Sequence, residues 1–193
     1  DPSNFITTNI LGTFNVLEAS RLQWKRMGMC DSFRFLHVST DEVFGSLALN
    51  STSKFSEDTR YDPRSPYSAS KASSDHLVKA WHETYGLPTI VANSSNNFGP
   101  FQYPEKLIPL VIIKALNWEP IPVYGDGMNI RDWLFVYDHV SALMQLLKKA
   151  IPGRTYNIGG GNEYTNVELV NSICQLLDQK RPNHAGSYKN LIN

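Results

Sequence analysis

Apolar residues recur first at helical spacing. In "DPSNFITTNILGTFNVLEASRL", Phe5, Ile6, Ile10, Phe14 and Leu17 make one stripe, Asp1 can cap and Pro2 fits a first turn, so residues 2–24 are expected to be helical. The pattern then changes. "FRFLHV" (33–38) is a short apolar run of the kind a buried strand carries, and a strand is expected over 33–39. Residues 45–66 are a polar loop rich in Ser, Asp and Pro, with turn chemistry in "DPRSP" (62–66). A helix over 67–85 closed by Gly86, a strand at "PTIVANSS" (88–95) and an irregular crossing over 96–106 follow. Further on, the pattern predicts a helix over 107–117, a short strand at "IPVYG" (121–125) and strand-like character over 126–136. It then predicts a helix capped by Asp138 and running through Lys149, a strand and turn at "TYNIGG" (155–160) and a last helix over 166–179. Helices alternating with strands predict an α/β fold with a parallel sheet.

Composition narrows this picture by exclusion. The 193 residues suffice for one domain and part of a second, and 41% hydrophobic with 19% charged residues is ordinary for a soluble globular protein. A formal net charge of zero gives no basis for bulk attraction to nucleic acid or to an anionic membrane, so neither is expected as a partner. Cys30 and Cys174 stand far apart in no metal spacing, which predicts free thiols in a reducing compartment. No apolar run reaches membrane-spanning length. The chain opens at a helix cap without Met and stops after "SYKNLIN" with no closing element, so it is expected to be a piece of something longer.

Two stretches carry chemistry. In "YSASK" (67–71), Tyr67 and Lys71 are four apart at the start of a helix and share a face. An ammonium beside a phenol favours the phenolate, which predicts a lowered pKa and a base at Tyr67. By itself the motif leaves open a surface tyrosine with a solvated lysine. In "STDEVFG" (39–45), two adjacent acids, Asp41 and Glu42, follow a strand-end hydroxyl. They read either as solvated loop residues or as a proton-transfer pair. In the second case neighbouring carboxyls resist double ionisation, and their titration belongs to the pair.

Strand-end Ser39-Thr40, then a loop, then a Tyr/Lys helix is the order of the short-chain dehydrogenase/reductase superfamily. The chain further resembles the dTDP-glucose 4,6-dehydratases, extended members of that superfamily. The resemblance runs along essentially the whole sequence through "TNILGT", "VSTDEVFG", "SPYSASKASSDHLV", "NSSNNFGPFQYPEKLIPL", "PVYGDGMNIRDWLFVYDH" and "YNIGGGNEYTN". It implies a Rossmann-like doubly wound parallel sheet with its first strands missing and a smaller α/β substrate-binding domain. Residues 1–100 would be the C-terminal part of the NAD-binding domain, and 101–193 mainly the nucleotide-sugar domain, interleaved with returning Rossmann elements. The two acids after Thr40 separate dehydratases from related epimerases.

The resemblance also implies a mechanism and a site. Tyr67, assisted by Lys71 and Thr40, takes the proton from the sugar O4 as hydride leaves C4 for NAD. Glu42 then removes the C5 proton, Asp41 protonates the departing C6 hydroxyl, and hydride returns to C6. Thr8 and Asn97, with Tyr67 and Lys71, would line the cofactor. Asn96, Lys106, Leu107, Pro122, Val123, Tyr124, Arg131 and Asn166, with Thr40, would touch dTDP-glucose. The bland alternatives are turn chemistry for Asn96 and Asn97, a helix-face polar residue for Thr8, a solvated lysine for Lys106, a strand-end aromatic for Tyr124, an ion pair with Asp132 for Arg131 and an N-cap for Asn166. The resemblance further implies a cytoplasmic homodimer built through helices that include 2–24 and 67–85. The glycine-rich NAD motif of the family has no counterpart in these residues, so this chain alone is expected to bind NAD poorly and to be inactive. Phe44 and Phe98 stand where tyrosine is common, with little effect expected. The five histidines show no metal spacing, "GGG" (159–161) reads as a turn, and "NST" (50–52) fits a glycosylation pattern without a secretory context. The competing readings are another nucleotide-sugar short-chain dehydrogenase/reductase, such as an epimerase or decarboxylase, and a non-catalytic sugar-nucleotide binding protein. A product assay for the 4-keto-6-deoxy sugar separates them.

Overall fold

The structure is a computed structural model, and it describes residues 1–48, 51, 53–123 and 125–193. The chain forms two compact units, Asp1–Ser95 with Tyr137–Gly159, and Asn96–Val136 with Gly160–Asn193.

The first unit opens with an uninterrupted helical run. It comprises α1 (Ser3–Phe5), a π-helical stretch (Ile6–Gly12) and α2 (Thr13–Arg26), and the residues at both junctions keep helical dihedrals. Leu17 and Trp24, seven apart, are buried, whereas Phe5, Ile6 and Phe14 of the expected stripe stay exposed. Strand β1 (Phe35–Thr40) pairs in parallel with β2 (Thr89–Ser94), which pairs in parallel with β5 (Thr155–Ile158). Every residue of β2 is buried, as a middle strand of a parallel sheet requires.

Helix α3 (Pro66–Tyr85) starts at a capping box in which Ser65 and Ser68 bond reciprocally, with Pro66 in the first turn, and it ends at Gly86 in the left-handed region. Leu17, Trp24, Val78, Leu87 and Val91 make the core between these elements. Helix α5 (Val136–Lys149) starts two residues before Asp138, so Asp138 is a first-turn acid and not the expected cap.

In the second unit β3 (Asn96–Phe98) pairs in parallel with β4 (Ile130–Phe135), and β4 pairs antiparallel with β6 (Glu163–Thr165). The crossing expected to be irregular from residue 96 therefore begins with a strand. Helices α4 (Leu107–Leu116) and α6 (Asn166–Lys180) pack around Val111, Ala115, Ile121, Val170, Ile173, Cys174 and Tyr188. Where a strand is expected at 121–125, Ile121 bridges Ile192 in parallel and the Val123 N–H donates to the Asn193 carbonyl at 3.1 Å, so the pairing continues past Pro122; residue 124 lies outside the described residues. Asn166 is not the cap of α6. Thr165 caps it, because Thr165 and Glu168 form the reciprocal Thr-x-x-Glu box and leave Asn166 as the first helical residue.

Candidate active site

The acid pair sits on an anchored turn. Strand β1 ends at Thr40, and Asp41–Phe44 form a single 3-10 turn. Val43 and Phe44 bury themselves with Ala72, Phe55 and Tyr61, and Phe44 stacks on Phe55 at 5.2 Å and meets Tyr61 edge-on at 5.3 Å. These two apolar residues hold the turn down while Asp41 stays half-buried and Glu42 exposed. The Thr40 hydroxyl accepts the Glu42 N–H at 3.3 Å and lies 3.4 Å from the Asp41 carboxylate. Ser39 is buried, and its hydroxyl donates to Asp75 at 2.9 Å. Of the two strand-end hydroxyls, Thr40 is thus the one that faces the acids. Carboxyl ends of parallel strands are where such sheets meet ligands.

Helix α3 brings Tyr67 and Lys71 onto one face, as their spacing predicts. Tyr67 is half-buried against the Phe5 ring, with centroids 5.6 Å apart. The Lys71 ammonium donates to the Val38 carbonyl at 2.7 Å and pins α3 to β1. The expected lowering of the Tyr67 pKa does not occur. Burial raises it, and the charges of Glu42, Asp41 and Asp75 raise it further, while burial lowers the Lys71 pKa against the pull of Asp75. The physical reason is burial first, with the negative charges of Glu42, Asp41 and Asp75 adding to it, while Lys71 gives its ammonium to a backbone carbonyl. The same coupling places the acid turn within electrostatic reach of Tyr67.

Thr8 lies exposed on the π-helical stretch, next to Asn9, whose amide donates to the Ser70 hydroxyl of α3 at 2.9 Å. Thr8, Thr40, Asp41, Glu42, Tyr67 and Lys71 all belong to the first unit. The other expected site residues belong to the second. Asn96 and Asn97 are partly buried in β3, and the Asn97 carbonyl accepts from Gln102 at 2.9 Å. Lys106 is exposed just before α4, and Leu107 packs on the core of that unit. Pro122 and Val123 are partly buried beside Ile121, and Tyr124 lies outside the described residues.

Arg131 is exposed and donates to the Ile130 carbonyl at 3.0 Å. It makes no ion pair with Asp132, whose carboxylate instead accepts the N–H groups of Gly160 and Asn162 at 2.7 Å each. Asn166 donates its N–H to the Asn129 carbonyl at 3.1 Å. Among the described residues, no group of His, Cys, Asp and Glu could hold a metal ion.

Sequence reasoning missed a buried polar cluster under this site: His37, Ser39, Tyr61, Asn93 and Asp75. The available signal was Asp75, one turn beyond Lys71 in a face otherwise turned to the sheet.

The sequence profile of the GDP-mannose 4,6 dehydratase family matches residues 1–192. A dTDP-glucose 4,6-dehydratase of Xanthomonas campestris pv. campestris is 59% identical over 187 residues, which are 96% of this chain and 53% of that protein. The one of Neisseria meningitidis serogroup B is 57% identical over 193 residues, covering 97% of this chain and 54% of its own length. This chain thus spans about half the length of the curated relatives it matches. The crystal structure of dTDP-glucose 4,6-dehydratase from Bacillus anthracis in complex with NAD superposes with a TM-score of 0.86 at 47% identity, over all of this chain and 57% of that one. The Streptomyces venezuelae dTDP-glucose 4,6-dehydratase, solved with NAD and TYD bound, gives 0.86 at 37% identity, over all of this chain and 54% of that one. These neighbours share the Rossmann-like arrangement that the family resemblance implies. A match that runs from the helix before β1 to the end of the second unit, through the acid turn and the Tyr/Lys helix, makes this chain a member of the GDP-mannose 4,6 dehydratase family.

Proposed function

We propose that the chain carries the proton-transfer machinery of an NAD-dependent dTDP-glucose 4,6-dehydratase, a lyase that forms dTDP-4-keto-6-deoxyglucose and water. The observation that carries this reading is the anchored Thr40-Asp41-Glu42 turn, electrostatically coupled to Tyr67 on the face shared with Lys71. Thr40 is the hydroxyl beside the acids, which suits it to hold a sugar oxygen while Tyr67 removes the O4 proton. Lys71, fastened to Val38, fixes the helix face on which Tyr67 stands and keeps a cation near it. Glu42, the exposed acid, removes the C5 proton once C4 is a ketone and gives it back to C5 when C6 is reduced, and Asp41, half-buried, delivers a proton to the C6 hydroxyl so that water leaves.

NAD, when bound, supplies the hydride acceptor for C4 and the donor that returns hydride to C6. The residues fit it: a tyrosine hydroxyl and a half-buried ammonium beside the carboxyl end of β1 are where a doubly wound sheet takes a dinucleotide. Tyr67 and Lys71, with Thr8 and Asn97, would hold it. Asn96, Lys106, Leu107, Pro122, Val123, Tyr124 and Arg131, with Asn166 and Thr40, would contact the nucleotide sugar, Arg131 offering the diphosphate an uncommitted guanidinium edge. Residues 1–100 would serve the cofactor and 101–193 mainly the sugar nucleotide, with 137–159 returning to the first unit. No helix among the described residues is long and apolar enough to cross a membrane. We place the reaction in the cytoplasm, in keeping with Cys30 and Cys174 as free thiols. The test is incubation of the intact protein with NAD and dTDP-glucose, reading 4-keto-6-deoxy sugar. A 4-epimer as the product, or decarboxylation of a nucleotide glucuronate offered in place of dTDP-glucose, would overturn the reading.

A further inference from the structure

Asp75 is fully buried, at 0% exposure, on the face of α3 that carries Tyr67 and Lys71. Three donors converge on its Oδ2: the Ser39 hydroxyl at 2.9 Å, the Tyr61 hydroxyl at 2.9 Å and the Asn93 amide at 3.2 Å. His37 Nε2 stands 3.1 Å from Oδ1 and 3.2 Å from the Ser74 hydroxyl. The same Asn93 amide also donates to the Thr40 carbonyl at 3.1 Å. One carboxylate therefore gathers β1, β2, α3 and the loop that carries Tyr61. Stability alone gives no reason to choose a charge here, because a buried carboxylate costs desolvation that an apolar side chain of similar volume avoids.

What the cluster does hold is the Ser39 side chain and the Thr40 backbone carbonyl, in the residues that lead into the acid turn. We infer that Asp75 is a positioning residue of the reaction, a buried carboxylate that ties the Thr40 strand end to the Tyr67/Lys71 face of α3. This rests on the proposed dehydratase reading for the identity of the reaction, not for the geometry.

Its charge has a second consequence. It favours the ammonium of Lys71 and disfavours the phenolate of Tyr67. The titratable groups around it are His37 from β1, Tyr61 from the loop, Asp41 and Glu42 from the 3-10 turn, and Tyr67 and Lys71 from α3. Strand β2 contributes only the neutral Asn93. His76 and Lys79 of α3 reach the cluster through the Tyr61 ring.

The test compares Asp75→Asn with the unaltered intact protein. The expected result is a kcat lowered about 10- to 100-fold with KM changed less than about twofold, and both limbs of the kcat–pH profile moved to lower pH. A role confined to stability would lower the melting temperature and leave both limbs in place, and unmoved limbs overturn the inference. If the unaltered protein converts no nucleotide sugar, the proposed function fails. Asp75 is then judged by tyrosinate absorbance, with Tyr67 isolated by difference from a Tyr67→Phe background. The Tyr67 midpoint falls in Asp75→Asn, and an unchanged midpoint overturns the inference. If Asp75→Asn does not fold, Ser39→Ala carries the test, since it cuts one arm and keeps the charge. It lowers kcat about 3- to 10-fold with KM and both limbs held, and an unchanged kcat overturns the inference.

Discussion

Tyr67 sits among carboxylates, half-buried, with its pKa raised by burial and by Glu42, Asp41 and Asp75. In the proposed mechanism Tyr67 and Glu42 are bases for different bonds, so their removal has different signatures. Tyr67→Phe lowers turnover about 10²- to 10⁴-fold and gives no reduced cofactor. Glu42→Gln lowers overall turnover by a similar factor, yet reduced cofactor accumulates after mixing, because C4 oxidation precedes the step that Glu42 serves. Stopped-flow absorbance of the intact protein checks both, and a Glu42→Gln variant with full turnover would sink the assignment. Tyr61 gives a pH prediction. Burial first, then the charge of Asp75 and the hydrogen bond to it, raise the Tyr61 pKa above its ordinary 10.0. A raised pKa means that the folded state keeps a proton that the unfolded state has lost, so the contribution is whole below 10.0 and fades as pH climbs above it. Urea unfolding as a function of pH should show a loss of stability on the alkaline side that is smaller in Tyr61→Phe.

At the scale of elements, the most exacting local fit is between β4 and the glycine turn before β6. Asp132 accepts the Gly160 and Asn162 N–H groups, and a Cβ on Gly160 would land on the Trp133 carbonyl. Gly160→Ala therefore forces the turn off β4 and costs about 1–3 kcal/mol, read by thermal or urea unfolding of the second unit. A Gly160→Ala protein of unchanged stability would refute this close approach. The element pattern was legible where side-chain periodicity and end signals agree. Ser65-Pro66 and Gly86 mark α3, and the continuous apolar run of β2 marks a middle strand. It failed where one residue decides. Thr165 takes the cap of α6 from Asn166 because Glu168 completes its box.

At the scale of the molecule, the first helical run keeps Phe5, Ile6, Leu11, Phe14 and Val16 exposed. Phe5 and Phe14 lean on Tyr67 and Trp81 of α3, and the apolar surface still left open on this run is the basis for proposing a second copy as its cover. Sedimentation velocity of the intact protein should give the mass of a homodimer, and a single-chain mass across the accessible concentrations would refute that assembly. The residues proposed for proton transfer belong to the first unit, and those proposed to contact the nucleotide sugar, apart from Thr40, belong to the second.

The sequence by itself singled out the residues proposed to carry the chemistry. A Tyr and a Lys four apart share a helix face by geometry, and two acids after a strand-end hydroxyl are visible as letters. Only the tertiary structure decided the electrostatics and the supports. Lys71 turned out to be held by the Val38 carbonyl, Tyr67 to be raised and not lowered, and Ser39 to face Asp75 and not the acids. The pairings that set these outcomes, Ser39 with Asp75 and Asn93 with Thr40, join residues 36 and 53 positions apart. A pKa follows from burial and from every charge nearby, and neither is written in the spacing of a motif.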